Sequence, residues 1–218
     1  MIENTAAAIV IKAQLFNPSV FNETWLSKNG IVEPDELDGA RVFSKEVAQF
    51  CTKRCQVVVL PPQMQITFGL QENDVCGERP SAIACRIVEV LPHTPYQAMG
   101  INFDYFVSPP EGEEFHVYER RLLGEGSYAL LDEFTCKDAR FGRYMSKDHG
   151  NGRLKLDVKP TTVNLPGKET LELLRFGFNF HYDLSQAEPT ERAAKLLKSI
   201  GQWEALREYS MKLVETGT

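Results

Sequence analysis

The sequence predicts an α+β protein in which a largely antiparallel sheet is covered on one face by helices. Three observations predict it. Short apolar segments rich in β-branched and aromatic residues follow one another over small turns, as in a meander. Helical spacing of apolar residues is confined to stretches between or after these segments. Several strand segments alternate apolar with polar positions, as a sheet with one packed and one wet face requires. With 218 residues, 43% of them hydrophobic and 25% charged, the chain is long and apolar enough to bury such a core.

Residues 8–15 (Ala-Ile-Val-Ile-Lys-Ala-Gln-Leu) form the first expected strand. Asn17-Pro18 follows as N-cap and first helical residue, opening a short helix through Val20, Phe21, Trp25 and Leu26 that Asn29-Gly30 ends. After the acidic loop 33–38 come apolar segments at 42–51, 55–60 and 64–70, parted by short turns at 52–54 and Pro61-Pro62. Residues 71–79 form a polar loop. Pro80 opens a helix with Ile83, Ile87, Val90 and Leu91 on one face, closed at Leu91-Pro92.

The next strand covers 96–107. Pro109-Pro110 leads into a helix with Phe115, Tyr118 and Leu122 on one side, and Gly124-Glu125-Gly126 ends it. Segments 140–145 and 154–158 form a hairpin through Asp148-His149-Gly150-Asn151-Gly152, and a long strand covers 169–184. Pro189 starts a terminal helix of about 27 residues, roughly 40 Å long. Its stripe is Leu196, Ile200, Trp203, Leu206 and Leu213, with Gly201 as the place for a kink.

The element order is thus β-α-β-β-β-α twice, predicting two pseudo-symmetric halves, 1–95 and 96–218, in one compact unit. Gly100-Ile-Asn-Phe-Asp-Tyr105 resembles Gly177-Phe-Asn-Phe-His-Tyr182, and both strands run into a Pro-initiated helix. The matched strands stand first and last in the second half, so a repeated strand–helix unit is the alternative to a repeated half. The order is similar to that of the TATA-binding-protein fold, a saddle of two related halves. Such a likeness concerns the fold and does not imply DNA binding.

Charge and cysteine content narrow the function classes. The formal charge of −6 argues against a constitutive nucleic-acid binder, and no apolar run is long enough for a membrane-spanning helix. No basic leader segment precedes an apolar run at the N-terminus. Five cysteines, Cys51, Cys55, Cys76, Cys85 and Cys136, are an odd number, which fits free thiols in a cytoplasmic protein. Cys51 and Cys55 flank a turn, and no second ligand pair with metal spacing accompanies them, so no metal or cofactor is expected.

Two constellations carry candidate chemistry. Between Lys137 and Lys159, seven cations stand against three aspartates, a net of +4 that leaves −10 elsewhere. Arg140, Arg143, Arg153 and Lys155 are its candidate anion-binding residues, and a solvated strand face is the plainer reading. The second is polar parity. Asn102 and Asp104 share one face of their strand, and Asn179, His181 and Asp183 share one face of theirs. If the strands are neighbours, Asp104, His181 and Asp183 converge as candidate acid–base residues, whereas a wet sheet face gives the same alternation without chemistry. Nucleophile-elbow, P-loop, zincin and EF-hand motifs are absent from the sequence.

The stretches Val57-Val-Val-Leu-Pro-Pro-Gln-Met-Gln-Ile66 and His93-Thr-Pro-Tyr-Gln-Ala-Met-Gly-Ile-Asn-Phe103, with the final strand and long helix, resemble an uncharacterised, sporadically distributed bacterial protein family. The resemblance implies a bacterial source and a β/α layout, and brings no activity or residue role. The expected function is a non-enzymatic binding or interaction module using its open sheet face or basic hairpin. A protein or small anion is the expected partner class, with self-association left open. The alternatives are an enzyme, hydrolytic in type, on the polar sheet face, and a nucleic-acid-associated factor working through 140–159.

Overall fold

The computed structural model describes residues 2–53, 55–69, 80–124, 141–163 and 170–217. Its strands are β1 (Ile2–Ala13), β2 (Val42–Phe43), β3 (Ala48–Cys51), β4 (Cys55–Leu60), β5 (Gln63–Gly69), β6 (Tyr96–Val107), β7 (Arg143–His149), β8 (Gly152–Val163) and β9 (Leu171–Asp183). Its helices are α1 (Glu23–Lys28), α2 (Pro80–Val90), α3 (Phe115–Leu123), α4 (Arg192–Ile200) and α5 (Trp203–Gly217). The nine strands form a single sheet in the order β2-β3-β4-β5-β1-β6-β9-β8-β7, antiparallel at every pair. The α+β expectation therefore holds. Read outward from the central β1–β6 pair, one flank is β5, β4, β3 and the other is β9, β8, β7, with β2 added at one edge.

Alternation along each strand divides the sheet into two faces. Ile9 and Ile11 of β1, Ile101, Phe103 and Tyr105 of β6, and Phe178 and Phe180 of β9 are buried beneath the helices. Each such side chain removed from water contributes about 1.5–3 kcal/mol, and together they form one core with Leu196, Ile200, Trp203 and Leu206 of the C-terminal helices. One row shows how residue size sets the packing. Ala7 lies between Phe68 and Phe103 on the neighbouring strands. The Trp203 ring stands 5.8 Å from Phe68 and 4.8 Å from Phe103, so the small alanine leaves room for the indole between two phenylalanines.

Four local expectations need correction. The stretch after Asn17 is a 3-10 turn, Pro18–Val20, followed by α1, because Asn22 acts as a second N-cap and accepts from the Trp25 N–H at 2.9 Å. Segment 42–51 is two strands, since the Ser44 hydroxyl accepts from the Glu46 and Val47 amides and turns the chain. The hairpin strands are longer than expected and the loop is only Gly150-Asn151, with His149 opposite Gly152 and Gly150 at φ +58°. This is the Gly-first pattern of a tight hairpin. The terminal helix breaks at Gly201-Gln202, where the Leu197 carbonyl accepts from Gly201 and the Gln202 carbonyl starts the next helix by accepting from Leu206.

Candidate functional site

Among the described residues, the helices leave the opposite face of the sheet open, and its chemistry is set by β-pairing. The two resembling segments lie side by side: β6 and β9 are antiparallel neighbours with Asn102 directly opposite Asn179, Gly100 opposite His181 and Gly177 opposite Asp104. The Asn102 Nδ2 donates to the Ala8 carbonyl at 3.4 Å, and Asn179 Nδ2 donates to Asn102 Oδ1 at 2.5 Å. The Ala8 carbonyl thereby fixes which way both amides point, and Asn179 Oδ1 is left as an acceptor.

The neighbouring glycines make room for these side chains. A Cβ at Gly100 would stand 2.8 Å from Asn179 Nδ2, and one at Gly177 would stand 3.3 Å from Asp104 Oδ1.

The pairing brings only part of the expected acid–base set together. His181 and Asp183 are neighbours on one face of β9. Asp104 is two rows further along the sheet, opposite Gly177, and is held by Arg175, whose Nη2 and Nε lie 2.6 and 2.9 Å from its Oδ1. Antiparallel register decided this, because residues that run in parallel in two sequence segments run in opposite directions on the paired strands. Asp183 itself accepts from the Ser185 amide at 2.8 Å, which holds its carboxyl below the ordinary value of 3.8, helped by the Ser185 side chain and His181. Burial, Lys155 and Lys12 hold the His181 imidazole below its ordinary 6.5, against the opposing pull of Asp183.

The basic hairpin is divided in the same way. Arg140 lies outside the described residues, as do Lys137 and the polar loop 71–79. Arg143 sits opposite Val158 and Lys147 opposite Leu154, so both belong to the helix-side face; Lys147 Nζ donates to the Tyr209 hydroxyl at 2.7 Å. Arg153, Lys155 and Lys159 point to the open face. Arg153 is paired with Asp148 at 2.8 Å and Lys159 with Asp157 at 2.7 Å. A row of seven cations on one side is therefore not what the fold builds.

Lys155 differs from its neighbours. It is half-buried, lies between Asn179 of β9 and Ser146 of β7, and has no carboxylate partner among the described residues. The Ser146 Oγ beside it is buried and makes no hydrogen bond among them. Lys12, exposed on β1 across from Ala98, is likewise unpaired among the described residues. Sequence reasoning missed Lys12, Gly100 and Ser146, because the rows that join them cross several strands. The visible signal was Lys12 itself, the one charge in an otherwise apolar run.

No group of three or more His, Cys, Asp or Glu side chains suited to a metal occurs among the described residues. Cys51 and Cys55 are not joined in a disulfide; Cys55 is buried on the core side with Val57 and Val59, and Cys51 alternates with core residue Phe50, so the two face opposite ways. No described helix is long and apolar enough to cross a membrane.

Fold and face together define an antiparallel open-sheet α+β protein in which, among the described residues, the uncovered face carries an asparagine pair and two cations without a carboxylate partner. No protein-family model matches the chain and no curated protein matches it significantly, so the open face is the basis on which a function is argued.

Proposed function

We propose that the protein is a non-enzymatic binding module that takes its ligand on the open face around β6, β8 and β9. The observation that carries this reading is the half-buried Lys155, whose charge has no counter-ion among the described residues although carboxylates stand close by and pair elsewhere. A lysine partly screened from water and without a carboxylate beside it offers a charge-assisted contact to a ligand that brings a negative or acceptor group. The preferred partner is a protein or a small anion. The bacterial, cytoplasmic setting and the origin of the fold by duplication of a β-α-β-β-β-α unit belong to the same proposal; the equal strand order on the two flanks supports the duplication.

The test is amide chemical-shift mapping against a panel of small anions, acidic peptides and neutral metabolites. Saturable shifts confined to open-face residues of β6, β8 and β9 are expected. Shifts confined to the helical side would overturn the reading.

One observation favours a second reading. His181 beside Asp183 is an imidazole–carboxylate pair, which a hydrolytic enzyme would use for proton transfer. Turnover of ester or phosphoester substrates that is lost in His181→Ala would establish it. A nucleic-acid-associated role is tested separately by titrating oligonucleotides at about 0.15 M salt with Arg143→Glu and Arg153→Glu. The two residues face opposite sides of the sheet, so the single variants tell which side is used.

A further inference from the structure

Among the described residues, the open face holds two lysines, Lys155 and Lys12, without a carboxylate partner. Lys155 lies one row from His181 on the adjacent strand, which puts their Cα atoms about 8 Å apart at ordinary strand spacing. Lys12 lies across β6, one row the other way, with its Cα about 12 Å from that of His181, within reach of a long side chain. Between them lie Ala98 and Gly100, and the Asn179 amide rests over Gly100, where a Cβ would stand 2.8 Å from its Nδ2. Among the described residues, the other charged groups facing this spot are Arg153, Asp183 and Asp104. Arg153 of β8 turns to Asp148 of β7, Asp183 of β9 takes the Ser185 amide, and Asp104 of β6 takes Arg175. Lys155 and Lys12 remain without a carboxylate partner among the described residues, and Asp183, whose amide donor leaves its charge in place, lies beside His181.

The geometry points to a binding site for a small molecule with a phosphomonoester group, held by Lys155, His181 and Lys12 on the solvent side of the Asn179 amide, with Asn179 Oδ1 accepting a hydroxyl or amide donor of the same ligand. This deepens the proposed function and rests on it. Phosphate is favoured over carboxylate because three donors approach from three strands. A dianion with three terminal oxygens can answer all of them, whereas a carboxylate offers two oxygens and one charge. The asparagine adds selectivity. Its orientation is locked through Asn102 and the Ala8 carbonyl, so it presents an acceptor beside the cations and requires a ligand with a donor next to its phosphate. A polyanion is disfavoured because Asp148, Asp157, Asp183 and Asp104 ring the spot and the chain as a whole carries −6. Burial first, then Lys155 and Lys12, hold the His181 imidazole below its ordinary value, and a phosphate would offset the part that the lysines contribute.

The experiment follows the His181 imidazole and the backbone amides by NMR during titration with inorganic phosphate, glycerol phosphate and, separately, a short DNA duplex. Binding of the two phosphates should saturate, shift the amides around Gly100, Asn179 and Lys155, and raise the His181 titration midpoint. Glycerol phosphate, with its hydroxyls, should bind more tightly than inorganic phosphate.

Lys155→Gln and Lys12→Gln should each weaken binding about tenfold, as loss of a charge-assisted contact implies. Both should also raise the His181 midpoint of the free protein and shrink the further rise that phosphate causes, and the second effect is the one a merely structural lysine would not give. Lys198→Gln on α4 serves as the control. A His181 midpoint unmoved by phosphate, or affinity unchanged in both lysine variants, overturns the site. Tighter binding of the duplex than of glycerol phosphate overturns the small-ligand assignment. If phosphates fail while another ligand class shifts open-face amides, the phosphate site falls and the binding-module reading stands. If no ligand reaches that face, both fall.

Discussion

The two flanks of the sheet share an architecture and differ in surface chemistry. On β3, β4 and β5 the open-face positions are Gln49, Cys51, Gln56, Val58, Leu60, Gln63, Gln65 and Thr67, without a lysine, arginine, histidine or carboxylate among them. On β6, β9, β8 and β7 the corresponding positions include Asp104, Arg175, His181, Asp183, Arg153, Lys155, Asp157, Lys159 and Asp148. Inside the edges the packed face shows no such contrast: Val57, Met64 and Ile66 on one flank and Leu154, Phe178 and Phe180 on the other are all buried, and only the edge strand β7 adds charges, Arg143 and Lys147, on that side. Helices must cover that face on both sides, so its residues are held to apolar types of fitting size. The open face is free of that requirement, and charge has accumulated on one flank only.

The comparison breaks if the packed face is not equally important on both flanks. Ile66→Ala and Phe178→Ala should both destabilise strongly, by about 2–5 and about 3–5 kcal/mol respectively, read from urea unfolding. An effect on one flank alone would mean that the other is not part of the same cooperative core.

A smaller effect is expected where backbone approaches closely. A Cβ at Gly152 would meet the His181 carbonyl at 2.6 Å, and a backbone atom cannot swing aside. Gly152→Ala should therefore cost about 1–3 kcal/mol, and it should lower hydrogen-exchange protection along the β8–β9 ladder. Ala7→Leu, which fills the space taken by Trp203, should cost a similar amount and shift the tryptophan emission.

On the open face the uncharged flank should be nearly silent. Gln65 donates only to Thr67 at 3.0 Å, and Gln65→Ala should change stability by no more than about 0.5 kcal/mol. Loss of more than that would show that the uncharged flank is itself covered or bound.

The smallest effect is pH-dependent and sharpens the contrast between flanks. His181 titrates below 6.5 in the folded chain, so the unfolded chain binds more protons between the two midpoints. The stability associated with neutral His181 is complete above 6.5 and is lost as pH falls through 6.5 to the folded midpoint and below. Urea midpoints measured between about pH 7 and pH 5 should fall less in His181→Gln than in wild type. An equal fall would locate the acid sensitivity elsewhere.

Much of the fold was legible because its signals are local. The strand at 96–107 and the helix opening at Pro80 occur where their sequence patterns put them. Alternation likewise revealed which residues of β6 and β9 share a face. The misplaced boundaries arose where one polar side chain overrode an apolar run, as Ser44 and Asn22 do.

The candidate site was only half legible. Asp104 and His181 share a face as the parity requires, but opposite strand directions carry them apart and leave Arg175 as the partner of Asp104. The hairpin cations are separated by that same alternation, Arg143 and Lys147 to the helices and Arg153 and Lys155 to the open side.

The sequence by itself determined the α+β class, the one-sided packing and the choice of residues for each face, because strand and helix periods are set by neighbours a few positions apart. Tertiary structure alone decided which charges meet. Strand order and register place Lys12, Gly100, His181 and Lys155 together from four strands, and electrostatic contact depends on distance in space, which the separation of residues along the chain does not encode.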